Sequence, residues 1–366
     1  MELFFDLVFV FALTQVTGFL SEHLSWVGVL QGAALLAVLW SSWAVYSWLT
    51  NAVPAEDVIP ARIVIFTSMA ALFVASLAVP GAFGHYGVLF GLAYFVVQLL
   101  QVLLYALATG DTPEQRRAIL RLAPGFVGAP VLLIVAGFLD GYAQGALWAG
   151  TLAVGYGVAF IRGVSGFRIH AGHFAERHGL IIIIALGESI VAAGVGVTGL
   201  ALGMGLLTAV VVGIALAAAL WWAYFDLVML TAEHRLSEAQ GEERARLARD
   251  SYSYLHLPMV AGIIFVALGV KQTLSHVGDP LGTVSAVALC GGVALYLLGH
   301  NGFRLRGIGS VSVPRLAVTV LCCVLIPVAV SVPSLITLAV LAMLLCGLAA
   351  FETATSREFR RALRAR

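Results

Sequence analysis

Charge is scarce in this sequence. Asp, Glu, Lys and Arg supply 11% of the 366 residues, against about a quarter in ordinary soluble domains. No stretch is large enough to fold alone as a water-soluble module. The longest polar segment, roughly Ala232 to Ser253, mixes Glu and Arg as a solvated helix would, and reads as a connector. Cysteine is sparse too. Cys290, Cys322, Cys323 and Cys346 all sit in apolar runs with no C-x-x-C spacing and no paired His, which argues against a disulfide framework or a structural zinc site. Also missing are a phosphate-cradling Gly-rich loop, a nucleophile elbow and a paired-metal motif. The net charge of +1 leaves no basic patch able to track phosphates, so nucleic acid is not an expected partner and the lipid bilayer is.

What the chain does have is long apolar runs. Hydrophobic residues make up 61% of it, and the mean hydropathy is +1.01. About twelve stretches of roughly 17 to 25 residues are each long enough to cross a ~30 Å hydrocarbon core as a helix. They cover 3–19, 25–49, 62–83, 86–109, 118–138, 142–161, 179–197, 202–228, 253–272, 281–299, 315–333 and 335–352. Span 1 carries bulky Phe4, Phe5, Phe9 and Phe11 and no small-residue cleavage site after it, which favours a retained helix over a removed signal peptide. The expected fold is all-α: a polytopic transmembrane helical bundle.

The cations are sorted. All 19 arginines fall in alternate gaps or in the tail 357–366, and Lys271 alone lies on the other side. Cationic loops are retained in the cytoplasm during insertion. The expectation is a multi-pass protein of the cell (cytoplasmic) membrane with both termini and all even-numbered loops cytoplasmic, the basic tail acting as a stop signal.

The two halves echo each other. Ala12-Leu13-Thr14-Gln15 in span 1 is matched by Ala185-Leu186-Gly187-Glu188 in span 7, and Trp43-Ala44-Val45-Tyr46 in span 2 by Trp221-Trp222-Ala223-Tyr224 in span 8. Six spans separate equivalent elements, and six is even, so the repeats would be parallel: residues 1–165 and 166–366, the second with the basic tail. Gly145, Gly150, Gly155 and Gly157 in span 6, and Gly194, Gly196 and Gly199 after span 7, are expected to allow close helix packing.

An ionisable group inside hydrocarbon costs about 2.5 to 3.5 kcal/mol and therefore needs a partner, a cavity or a function. Glu188 is the clearest case, about nine residues into span 7 and so ~13 Å deep. A carboxyl there can relay a proton or accept a coupling ion; the bland reading is a neutral, hydrogen-bonded structural group. Glu2 and Asp6, four apart, share one helix face, near the cytoplasmic mouth. Asn51, Asp57 and Arg62 around the span 2–3 loop, and Asp226 at the end of span 8, fall at the same level. The densest polar segment, Arg168 to His178, precedes span 7. On a continuous helix His173, Arg177 and Glu188 lie within about 60° of one another, a stripe from mouth to midplane. Positions 170, 173, 176 and 178 spread around the helix, unlike the i, i+4 pair of a helical zinc site. No metal is therefore assigned, His173, Glu176 and His178 being the weak candidates. His256 and His300 read as interfacial histidines extending the layer. No cofactor is expected.

At these residues the sequence resembles the bacterial low temperature requirement protein A (LtrA) family. The resemblance rests on Glu2-Leu3-Phe4-Phe5-Asp6-Leu7-Val8-Phe9-Val10, the Asn51 to Arg62 loop, His173-Phe174-Ala175-Glu176-Arg177-His178-Gly179-Leu180, Ala185-Leu186-Gly187-Glu188-Ser189-Ile190 and Trp221 to Asp226. It implies an integral membrane protein named for growth at low temperature, with no settled activity to carry over. Relatives usually have polar residues before the first motif, whereas Met1 abuts it here, which leaves open how span 1 enters the membrane.

Three readings of function compete. The leading one is a transporter or permease for a small solute or proton, with Glu188 as the proton-linked midplane group and Glu2, Asp6, Asp57, His173, Glu176, Arg177, His178 and Asp226 lining a cytoplasmic vestibule. The second is an intramembrane enzyme on a lipid or lipid-linked substrate, its acid and base groups at headgroup level. The third, a sensor or accessory subunit, requires the polar layer to be paired and dry.

Overall fold

A chain with this little polar side chain must satisfy its backbone internally, and in lipid the helix does so within one segment. The computed structural model describes residues 1–52, 59–108, 112–196, 198–199, 201–226 and 228–355. Among them there is no strand, only an isolated bridge between Pro280 and Pro333. The helices are α1 (Glu2–Glu22), α2 (Trp26–Ala52), α3 (Ile59–Ala78), α4 (Gly87–Ala108), α5 (Pro113–Ala136), α6 (Gly141–Arg162), α7 (Ala171–Gly196), α8 (Met204–Phe225), α9 (Val228–Glu238), α10 (Gly241–Leu247), α11 (His256–Ser275), α12 (Thr283–Ala286), α13 (Gly292–Ile308), α14 (Val313–Ala329) and α15 (Ser334–Thr355). Eleven helical runs among the described residues are long and apolar enough to cross a membrane, and α14 is a shorter apolar helix. The architecture is a polytopic helical membrane bundle, as the apolar runs require.

Two expectations need revision. Span 11 is expected over 315–333, yet α14 is only 17 residues long. Ser312 caps it by accepting from the Arg315 backbone N–H at 3.5 Å, Pro314 stands in its first turn, and Pro327 removes an amide donor near its end. Arg315 therefore lies inside the helix and not in the loop before it. The supposedly solvated connector 232–253 is the second case. Ala245, Leu247, Ala248, Arg249 and Tyr252 are buried in it, and Ala248–Tyr254 winds as a π-helix in which the Leu255 N–H reaches five residues back to Asp250 O at 3.1 Å. Such turns rotate the side chains that follow and concentrate at functional sites.

The chain forms two compact units. The first comprises Met1–His23, Val27–Phe174 and Ala239–Arg249. Within it α3 packs on α4, α4 on α5 and α5 on α6, with α1 against α3. A Cβ at Gly87 would stand 2.9 Å from the Gly137 Cα, so α4 and α5 meet backbone to backbone. Trp40, Trp43 and Tyr46 of α2 are fully buried here, Tyr46 stacked on Phe5 of α1 at 3.6 Å and 12°.

The second unit comprises Leu24–Trp26, Ala175–Glu238 and the chain from Asp250 onward. Here α11 packs on α13, α13 on α14, α14 on α15 and α15 on α8. The tightest approach is between α11 and α13, where a Cβ on Gly262 would meet Gly292 O at 2.6 Å and one on Gly292 would meet Gly262 O at 2.8 Å. The expected seam glycines divide: a Cβ on Gly196 would stand 3.1 Å from the Lys271 side chain and those on Gly150 and Gly155 would be in ordinary contact with α5 side chains at 3.6 and 3.7 Å, whereas Gly145, Gly157, Gly194 and Gly199 have nothing within 4 Å. Large apolar side chains such as Leu3, Phe4 and Leu7 on α1 and Val320 and Val324 on α14 stay exposed, as a lipid-facing belt requires.

Candidate functional site

In the first unit, α1, α2 and the first residues of α7 bring three of the singled-out residues together. Glu2 stands in the first turn of α1, where a carboxylate suits the helix dipole. Its Oε2 lies 2.9 Å from His173 Nε2. Asn51, near the end of α2, holds the other side of that imidazole: its Nδ2 is 3.2 Å from His173 Nδ1 and donates to His170 O at 3.1 Å. The backbone N–H of His170 donates to Asn51 Oδ1 at 2.8 Å, which fixes the orientation of the amide. Its Nδ2 can then only donate, so His173 Nδ1 must be the acceptor and the ring proton sits on Nε2, aimed at Glu2. His170 Nδ1 in turn donates to Asn51 O at 2.8 Å. The result is a carboxylate–imidazole pair of defined tautomer, its side chains 25% and 40% exposed, backed by a buried amide. Asp6, one turn on from Glu2, is buried and accepts from Trp43 Nε1 at 2.9 Å.

The second unit holds a larger buried cluster. Arg177, His178 and Glu188 of α7 are 2%, 0% and 1% exposed. The His178 ring meets those of Tyr252 and His256 edge-on, each at 5.1 Å. His256 Nδ1 donates to Ser251 O in the π-helix at 3.0 Å, leaving Nε2 to accept from the Tyr224 hydroxyl at 2.8 Å. One helix over, the Tyr296 hydroxyl donates to Leu220 O at 2.7 Å and its ring packs on His300 at 4.4 Å. Arg315 lies 2.6 Å from His300 Nδ1, grips Glu352 through Nε and Nη2 at 2.8 Å each, and donates to Ala223 O at 2.9 Å. A guanidinium cannot accept, so His300 Nδ1 does, and His300 is the neutral Nε2–H tautomer. His256 and His300 are thus fully buried core groups and not interfacial ones, because α11 and α13 draw together at their glycines and carry both rings inside.

The remaining sequence candidates scatter. Arg62 on α3 and Glu176 on α7 are exposed, and Asp57 lies outside the described residues. Asp226, at the end of α8, accepts from the Thr353 hydroxyl at 3.5 Å, the same hydroxyl that takes Trp222 Nε1 at 3.0 Å. Among the described residues no group of three or more His, Cys, Asp or Glu is arranged to hold a metal ion; His173 faces Glu2 and His178 faces aromatic rings. Arg315, Glu352, Tyr224 and Tyr296 are the residues that sequence reasoning missed. Pro314 just before Arg315 is the signal that could have moved that cation from loop to helix.

The family model described as bacterial low temperature requirement A protein (LtrA) matches residues 1–350. The chain belongs to the LtrA family. It is also similar to uncharacterized protein RA0937 of Rhizobium meliloti (strain 1021), 33% identical over 319 residues that cover 81% of this chain and 75% of that protein. No solved structure matches the chain. In LtrA terms, the first motif supplies the Glu2 that meets His173 and the Asp6 that holds Trp43. The other motifs bury Arg177, His178 and Glu188. This LtrA protein is thus a multi-pass membrane protein whose motif residues line the interiors of its units more than its surface.

Proposed function

We propose that the protein is a proton-linked transporter or permease of the cytoplasmic membrane in which Glu188 takes up and releases the proton. The observation that carries this reading is the burial of that carboxyl, 1% exposed in an apolar helix, at a depth where a charge is costly and a change of protonation correspondingly informative. Seventeen residues separate it from the start of α7, about 26 Å of helix.

A parallel 6+6 repeat is part of the proposal, and bonds within each unit support it. In the first, Gln101 of α4 donates to Ser42 O at 3.1 Å, the residue just before Trp43; in the second, Tyr296 of α13 donates to Leu220 O at 2.7 Å, the residue just before Trp221. The fifth helix of each set likewise sends an arginine toward the end of the sixth: Arg121 to Ser165 Oγ at 2.9 Å and Arg315 to Glu352. Equivalent bonds at equivalent motif positions are what a duplicated bundle would retain.

The test is a purified protein in proton-tight liposomes with an internal pH dye, screened against candidate solutes under an imposed gradient. A solute-dependent proton flux in wild type that disappears in Glu188→Gln is expected; an undiminished flux in that variant would remove Glu188 from coupling. A second reading, an intramembrane enzyme on a lipid or lipid-linked substrate, draws on the half-exposed Glu2–His173 pair, an acid and a base in hydrogen-bond contact. It takes over if no solute gives a flux and membrane lipids change composition instead.

A further inference from the structure

The second unit contains a cavity of about 160 Å³ between α7, α8 and α11. We infer that it is a binding site for the acyl chain of a bilayer lipid. Its floor is made by small residues on two helices, Ala193 and Gly194 of α7 and Gly213 and Ala217 of α8, and Val266 and Val270 of α11 close its back. Small residues at such spacing ordinarily let helices touch; Gly213 does so, a Cβ there standing 3.3 Å from the Val270 side chain, whereas Gly194 fronts an open space, its Cβ position having nothing within 4 Å.

The chemistry of the lining selects the occupant. Ser189 carries the lone side-chain hydroxyl of the wall, and it is already committed to Ala185 O at 3.2 Å. With no polar partner to offer, the cavity does not hold water, and a hole of ~150 Å³ lined by such residues takes up hydrocarbon. Interiors at native packing density do not leave a space of this size empty. Access comes from the bilayer: Ile190 and Ile214 line the cavity and are half-exposed, and they continue into exposed Val191 and Val211 on the same two helices. The site is thus an inlet of the lipid-facing belt. It is also separate from the proposed coupling group. Counted from Glu188 at 100° per residue, Ser189, Ile190, Ala193 and Gly194 fall at about 100°, 200°, 140° and 240°, the opposite face of α7.

The full-length protein is reconstituted in phosphatidylcholine vesicles doped with a phosphatidylcholine bearing a photoactivatable diazirine on one acyl chain. After illumination, adducts are mapped by peptide mass spectrometry. Labelling concentrated in 189–194 and 210–220 is expected, reduced several-fold by Ala217→Phe and by Gly194→Leu, which fill the space. It should be unchanged by Val320→Phe, which enlarges an exposed side chain of α14 outside both the lining and the inlet. If Ala217→Phe does not fold, Gly194→Leu decides alone. Labelling that is even along the apolar belt, or indifferent to both filling variants, overturns the inference. So does labelling at these peptides by a free apolar diazirine solute but not by the lipid, which would make the cavity a solute site.

Discussion

Arg315 is the residue whose loss should cost the fold most. Its guanidinium is 3% exposed and makes two bonds to Glu352, one to Ala223 O and one to His300. A buried pair gains little over a well-packed apolar one, because both charges forfeit hydration, but removing one partner strands the other. Arg315→Leu and Glu352→Gln should therefore each destabilise by about 3 to 5 kcal/mol, less for Glu352→Gln to the extent that the carboxylate is partly hydrated. The double change Arg315→Leu with Glu352→Leu should recover much of the loss. Thermal unfolding of detergent-purified variants followed by size-exclusion chromatography reads this, and a double variant no better than the singles would refute it. Such residues were hard to read from sequence because the positive-inside rule explains any cation near a span end without requiring a partner. Glu188, by contrast, was legible because nothing but burial accounts for a carboxylate inside an apolar run.

At the scale of elements, the apolar runs were legible because length and hydropathy alone define a membrane span. What escaped was the behaviour of segments whose environment comes from a partner. The stretch from Gly241 to Tyr254 looks solvated by composition, yet Ala245, Leu247, Ala248 and Tyr252 are buried in it and its second half winds as a π-helix. Glycine counts were equally misleading. Gly145 on α6 meets nothing, whereas Gly262 and Gly292 bring α11 and α13 into backbone contact. Gly262→Val should push these helices apart at a cost of about 1 to 3 kcal/mol, the usual range for overpacking, and Gly145→Ala should be neutral or slightly stabilising since Ala is the better helix former. The same thermal assay separates them. A Gly262→Val protein as stable as wild type would mean that the seam can slide, and the burial of His256 and His300 would then need another cause.

At the scale of the whole molecule, the decisive question is which side each loop occupies, because the proposed proton path has a direction only if α7 does. The arginines provide the argument: they fall in or beside alternate gaps, with Lys271 the single cation elsewhere, and retention of cationic loops then predicts both termini inside. Alkaline phosphatase needs disulfides and becomes active only outside the cytoplasm. Fused after Gly278, in the short turn between α11 and α12, it should be active; fused after Ala239, between α9 and α10, it should be inactive, with green fluorescent protein giving the reverse pattern. The same pairing applied to the first half, after His85 and after Ser165, tests the parallel repeat: Gly278 and His85 should behave alike, because an even number of spans separates equivalent turns. If the two turns report opposite sides, the halves would be inverted, and the matching of Ser42 with Leu220 would be coincidence. Agreement would place the N-terminal end of α7 on the inner side, and protons reaching Glu188 from there would have to pass the buried Arg177.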